Sequence, residues 1–335
     1  MKNIPINIFL LVLFLNGIIL SQQINISRIE QMSNIPSPYE MRDWKEATGG
    51  YDSLVFNFNL TGQYLPLIWI NSNTINYPAH NSFGLHTVVG TSDPASAEAI
   101  NCIPALIGAS LVGIDKSNQN GKNFVLMAEE WFNKINGENV YLNHPNTITG
   151  DDWWYETMPN VFFYQLNSLY PGTGDFENQF IKVADTWLKA VDAMGGSNTP
   201  WKVPNMNHRA FDLISLTPND NGVKEPEAAG AIAWILYNAY KKTGETKYRI
   251  GAEQSMEFLN SLTSNPSYEL QLSYGVYDAA KMNAELGTNY DIEKMINWCF
   301  NVGPLRQWGL ILGNWGGYDV SGLIGEVSGN DYAFT

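Results

Sequence analysis

Two neighbouring aspartates, Asp151 and Asp152, stand directly before two tryptophans in Thr149-Gly-Asp-Asp-Trp-Trp-Tyr-Glu156. Carboxyls placed side by side compete for charge, and desolvation of one raises its pKa, so a single site can hold both an acid and a base. One of the two also suits the N-cap of the helix that follows, which leaves the other for chemistry. Glu156, one turn on, shares a helical face with Asp152. Glu225 and Glu227 flank Pro226 at the start of a second apolar run, where first-turn acids and a proline at the first helical position also favour a helix. Asp319, in Trp315-Gly-Gly-Tyr-Asp319, is the sixth candidate acid and could equally cap a helix. Two carboxyl groups across a sugar, one protonated to release the leaving oxygen and one ionised as base or nucleophile, are what glycoside hydrolysis requires.

Flat side chains accompany these acids. The chain carries 11 Trp, 17 Tyr and 15 Phe. Trp153, Trp154, Trp201, Trp308, Trp315 and Tyr318 fall at expected helix starts or in loops, where an aromatic face can stack on a sugar ring. Trp201, Trp308 and Trp315, set among glycines and prolines, are the better platforms, since a Trp on a buried helix is accounted for by packing. His208 and Arg209, in Asn205-Met-Asn-His-Arg209, are further candidate substrate contacts. Together with Asn207 and Arg306 they also fit an alternative, a polysaccharide lyase, which needs a proton-abstracting base and a cation or amide to neutralise a uronate.

Other chemistries lack their residues. No two histidines have helical metal-ligand spacing, and the two cysteines form no CxxC, so neither a metal nor another cofactor is expected. GxSxG, P-loop, GxGxxG and HExxH patterns are all missing, which disfavours serine hydrolases, NTPases, dinucleotide enzymes and metalloproteases. With 19 basic against 33 acidic residues, a net charge of −14, the chain is unsuited to neutralising phosphates, and no nucleic-acid partner is expected. Cys102 and Cys299, both in apolar helical sequence, read as two buried thiols rather than a disulfide.

The elements that must position these residues are helical. At 335 residues and 44% hydrophobic, only 16% charged, the chain has ample material for a core. Met1, Lys2 and the apolar run from Ile8 to Leu20, closed by Ser21, read as a signal peptide (residues 1–21), too short for a comfortable membrane span. The mature protein is therefore expected to be soluble, secreted or periplasmic or at the cell surface, with no membrane partner. Residues 22–90 read as an irregular or extended lead-in, with Leu54–Leu60 and Tyr64–Ile70 as extended stretches. From residue 91 to 335 the periodicity becomes helical, and the helices pair. Ala95–Ile114 (after Asp93-Pro94), Asp151–Leu169, Glu227–Lys242 and Tyr274–Leu286 are predominantly apolar or aromatic. Each is followed by a more amphipathic partner: Asn123–Ile135, Phe176–Met194, Lys247–Leu262 and Asp291–Phe300. A helix apolar nearly all round must be buried, and an amphipathic one must face water on one side. Hairpins of this kind arranged in a ring give an all-α, (α/α)6-type toroid. A shorter and more uniform repeat would instead indicate a solenoid. Four hairpins are clear where a closed ring takes about six, and Gly329–Thr335 reads as the opening of another inner helix. The toroid is thus expected to be truncated at the C-terminus.

Three stretches carry a resemblance. They are Thr149–Glu156, Glu225-Pro-Glu-Ala-Ala-Gly-Ala-Ile-Ala-Trp234, and the hairpin from Tyr274 to Gly287 with Tyr290–Trp298. Over residues 90–335 the chain resembles the six-hairpin glycosidase superfamily of secreted polysaccharide-degrading enzymes. The adjacent aspartates are similar to the pair used by its α-mannanase branch. In that branch two residues separate the pair from the tryptophans and here none do, so mannan is not assigned. The resemblance implies an (α/α) toroid and a glycoside hydrolase acting on an oligo- or polysaccharide. The alternatives are a lyase on the same fold and a non-catalytic glycan-binding protein.

Overall fold

The computed structural model describes residues 23–32, 43–62, 65–86, 97–328 and 333–334. The expected signal peptide and the Asp93-Pro94 cap lie outside the described residues. The fold is predominantly helical, and its four apolar helices stand in a row. In chain order the helices are α1 (Trp44–Val55), α2 (Ala99–Leu111), α3 (Phe124–Met127), α4 (Trp153–Leu169), α5 (Phe176–Ala193), α6 (Ala228–Thr243), α7 (Thr246–Ser261), α8 (Gln271–Leu286) and α9 (Ile292–Phe300). Helix α2 packs on α4, α4 on α6, and α6 on α8. Helices α5 and α7 cover α6 and touch each other, while α9 lies against α8. The inner-and-outer alternation foreseen from hydrophobic periodicity is therefore present along this row.

The residues explain the layering. In α6, Ala228 to Ala233, Ile235, Leu236 and Tyr237 are all buried, so this helix has apolar neighbours almost all round. Its outer partner α7 buries only one side, through Tyr248, Ala252, Met256 and Leu259 among others. Gly244 and Gly287 end α6 and α8 in the left-handed conformation, at φ 75° and 72°, which a glycine adopts without steric cost. Between α6 and α8 the backbones nearly touch. A Cβ built on Gly230 would lie 2.9 Å from the Gly275 nitrogen, in the first turns of both helices. Gly230→Ala is accordingly expected to lower stability by about 1–3 kcal/mol, through forced separation of the two inner helices. Chemical denaturation checks this, and an unchanged midpoint would show that the crossing is loose.

Several sequence expectations are corrected. Asn123–Ile135 does not form an amphipathic helix. One α-turn, α3, is followed by a 3-10 turn over Ala128–Trp131, and the chain is extended by Phe132. Glu129 and Glu130 are buried there and bind distant backbone: Glu129 accepts from the Asp175 N–H at 2.5 Å, and Glu130 from those of Ile75 and Tyr77 at 2.7 and 3.1 Å. Asn133 then bonds the carbonyls of Trp131 and His144, competing with the helical backbone pattern. The Leu54–Leu60 stretch is not extended at its start: Leu54 and Val55 close α1, a helix nucleated by Asp43, whose carboxylate accepts from the Lys45 and Glu46 N–H groups. The second extended stretch is partly realised, since β1 (Ile68–Asn71) pairs antiparallel with β2 (Ser82–Leu85).

The loops after α5 and α9 carry short hairpins. Strands β3 (Ser197–Asn198) and β4 (Trp201–Lys202) pair, as do β5 (Ala210–Asp212) and β6 (Thr217–Asn219). Beyond α9, β7 (Trp308–Leu310) pairs with β10 (Ile324–Glu326), and β8 (Asn314–Trp315) with β9 (Tyr318–Asp319). The expected inner helix at Gly329–Thr335 is not seen among the described residues, where β11 (Ala333–Phe334) pairs with β10. Cys102 and Cys299 are free thiols on α2 and α9, the first fully buried and the second half-buried.

One core residue contradicts its surroundings. Asp278, on α8, is fully buried, and neither of its oxygens has a hydrogen-bond partner. Burial pushes its carboxyl well above the usual range. The unfolded chain ionises first as pH rises, so this residue withdraws stability from about pH 4 upward. Asp278→Asn is expected to flatten the loss of stability between acid and neutral pH by more than about 1 kcal/mol, because a carboxyl whose pKa rises by one on folding already costs about that much once ionised. Parallel pH slopes for wild type and variant in denaturant unfolding would refute it.

Candidate active site

All four inner helices present their N-terminal ends to one side of the row, as shown by the contacts among the residues there. Glu98, the N-cap residue of α2, and Asp152, the N-cap of α4, line one pocket. Asp152 and Glu225, just before α6, share Arg209. Glu227, the N-cap residue of α6, accepts from the backbone N–H groups of Glu269 and Leu272 at the start of α8, at 2.6 and 3.2 Å. Helix dipoles favour acids at these ends, and here four such ends converge.

The Asp-Asp pair divides its labour as the residue types suggest. The Asp152 carboxylate caps α4 by accepting from the Trp154 N–H at 2.9 Å, and its other oxygen binds the Arg209 guanidinium. Asp151 is exposed and borders the pocket. The pocket measures about 900 Å³ and is walled by Asn143, His144, Asn146 and Thr147 on one side and by Asp151, Asp152, Tyr155 and Glu156 on the other. Tyr155, 41% exposed, supplies a flat face.

Glu156 is the most unusual group in it. Its Oε1 accepts from three successive backbone N–H groups, those of Gly150, Asp151 and Asp152, at 2.7, 2.7 and 3.1 Å. Its Oε2 is buried without a partner. Burial pushes the carboxyl up to about 8, against the pull of the three N–H groups. At neutral pH the group is therefore mostly protonated. Because Oε1 is saturated by donors, the proton belongs on Oε2, a hydrogen-bond donor with no acceptor in the protein.

A second cluster adjoins the pocket. Arg209 joins Asp152 and Glu225, donates to the Tyr268 hydroxyl at 3.3 Å and reaches the Asp151 carbonyl at 3.3 Å. Arg306 binds Glu269 and, at 2.6 Å, Glu326. The Tyr268 ring lies between the two cations, 5.6 Å from Arg209 and 5.0 Å from Arg306. Burial, with Asp152, Glu227 and Glu269 nearby, pushes Glu225 up to about 9 although Arg209 opposes the shift. Burial likewise lifts Glu227 and Glu269 to about 7. The Arg209 guanidinium is lowered by burial, but Glu225 and Asp152 outweigh this and hold it above its usual value.

The remaining sequence candidates fall in different places. Glu225 and Glu227 are fully buried, and the second serves as a tie between α6 and α8. Pro226 precedes the helix instead of opening it. Trp153, Trp154 and Trp308 belong to the interior, with the Trp153 indole N–H donating to the His208 carbonyl at 2.9 Å. His208 is buried, its Nδ1 2.9 Å from Asp220. Trp201 stands on the β3–β4 hairpin, bonded to Glu257 of the outer helix α7 at 2.7 Å. Trp315, Tyr318 and Asp319 form the β8–β9 hairpin and do not border the pocket. Tyr318 is 77% exposed, and Asp319 accepts from the Ser321 N–H at 3.0 Å.

Glu98, Glu269, Tyr268 and Tyr155 were not singled out from the sequence. Glu98 was hidden because the expected helix began at Ala95, which made it an interior residue; with α2 starting at Ala99 it stands at the mouth. Glu269 was hidden by the opposite error, since the expected helix began at Tyr274 and left it in a loop, whereas α8 begins at Gln271. The sequence matches no protein-family model, and neither curated proteins nor solved structures give a match.

Proposed function

We propose that the chain is a glycoside hydrolase acting on an oligo- or polysaccharide in the pocket at the N-terminal end of the inner helices. The observation that carries this reading is one pocket bordered by both a buried, protonated carboxyl, Glu156, and an exposed neighbouring carboxylate, Asp151. Glycoside hydrolysis uses that combination, an acid to protonate the leaving oxygen and a carboxylate to act as base or nucleophile. Glu156 takes the first role and Asp151 the second. Asp152 and Arg209 hold the Asp151 loop, and Tyr155 offers a stacking face. The row of inner and outer helices is the arrangement an (α/α) toroid has over part of its circumference, and the apolar N-terminal stretch supports export. A lyase has less support, because Arg209 and Arg306, the cations that could neutralise a uronate, are each bound by two carboxyl groups. The test is incubation of the purified protein with neutral, amino-substituted and uronic-acid polysaccharides. New reducing ends without the ultraviolet absorbance of an unsaturated uronate are expected. Appearance of that absorbance, or no cleavage of any glycan, would overturn the reading.

A further inference from the structure

The charges around the pocket bear on which sugar it accepts. Four acidic residues border it, Glu98, Asp151, Asp152 and Glu156, and no lysine or arginine is among the bordering residues. Two of the four are already balanced: Asp152 by Arg209, and Glu156 by its own proton. The other two are not. Glu98 accepts from the side-chain amides of Asn143 and Asn101, at 2.9 and 2.8 Å, which supply hydrogen bonds but no charge. Neither Glu98 nor Asp151 forms an ion pair among the described residues. They precede different helices, Glu98 before α2 and Asp151 before α4. Independently of these charges, Glu156, a residue of the same pocket, has a buried Oε2 with no hydrogen-bond partner among the described residues.

We infer that the pocket selects a cationic sugar, an oligosaccharide bearing free amino groups, with Glu98 and Asp151 facing the ammonium groups. A uronate would meet two carboxylates without an ion-pair partner and no lysine or arginine among the described bordering residues, a juxtaposition that costs binding energy. The overall charge of −14 acts in the same direction, drawing cations toward the mouth and repelling anionic glycans. This rests on the proposed carbohydrate site but concerns its selectivity, which binding alone can measure.

The experiment is calorimetric titration of the full chain at slightly acidic pH and low ionic strength. The probes are a glucosamine oligomer, its fully N-acetylated counterpart, and an oligogalacturonate of equal length. The amino oligomer is expected to bind about tenfold or more tighter than the acetylated one, with the difference shrinking as salt is added. Glu98→Gln removes the charge and keeps an oxygen for one of the two amide donors, and is expected to bring the ratio close to one. Equal or tighter binding of the acetylated or uronate oligomer, no binding of any probe, or a preference untouched by Glu98→Gln would each overturn the inference. Reducing-end release is followed in parallel. Cleavage of glycans without preference for the amine sinks the selectivity and leaves the hydrolase standing. Selective binding without cleavage does the reverse.

Discussion

Glu156→Gln is expected to reduce turnover by about 100- to 10,000-fold, the range a positioned general acid contributes, while leaving the fold intact. The amide retains an oxygen for the three N–H groups of Gly150, Asp151 and Asp152 and replaces only the proton-bearing Oε2. Two pH dependences accompany the loss. Wild-type turnover should fall as pH rises through about 8, where Glu156 gives up its proton, and the variant's residual rate should lack that limb. Stability moves with the same group. Its folded carboxyl titrates higher than its unfolded one, so the unfolded chain loses the proton first. Glu156 thus withdraws stability between about 4.5 and about 8, a decline that the glutamine variant should not show. Steady-state rates across this range, with unfolding midpoints at each pH, measure both. A variant retaining a tenth or more of wild-type turnover would remove Glu156 from the acid's role.

Arg209→Met should be the most damaging single change to stability, at about 3–5 kcal/mol. Its guanidinium is the shared cation of Asp152 and the fully buried Glu225, and it contributes a bond to the Tyr268 hydroxyl. Methionine fills much of the volume but leaves two facing carboxyls with one fewer positive charge between them. A double variant, Arg209→Met with Glu225→Gln, should recover part of the loss, because it removes the buried acid that the first change strands. Urea unfolding of the two single variants and the double variant closes the cycle. If Arg209→Met lay within about 0.5 kcal/mol of wild type, the cluster would have to be solvated well enough to dispense with its cation.

What the sequence made legible follows from how local each signal is. Seven of the eight helices expected in the four hairpins are present because their apolar spacing is set within a few turns and needs no distant partner. That one of Asp151 and Asp152 caps the helix was legible for the same reason, and which of them does so was not. The helix expected over Asn123–Ile135 failed on non-local grounds. Glu129 and Glu130, which lie within that span, are buried against loops about 50 residues away in the chain. Aromatic residues misled in the opposite direction: Trp308, between loop glycines, suggested an exposed platform, but β7 places it in the interior. Arg209 was legible as a candidate ligand contact, and its saturation by two acids from different helices was not. Helix starts mattered most. A boundary error of four residues at α2 and three at α8 concealed Glu98 and Glu269.

The carboxyl of Glu156 and that of Glu227 each fasten a neighbouring stretch of backbone through side-chain bonds to its N–H groups. Such an attachment reads only peptide nitrogens, although Gly150, at φ 104° and close against Asp212, is held to glycine by its own backbone. Loop sequence at the mouth can therefore diversify, changing what is recognised, while the fastening glutamates keep the reactive groups in register. The helical frame and the selectivity of its opening are, in that sense, separately heritable.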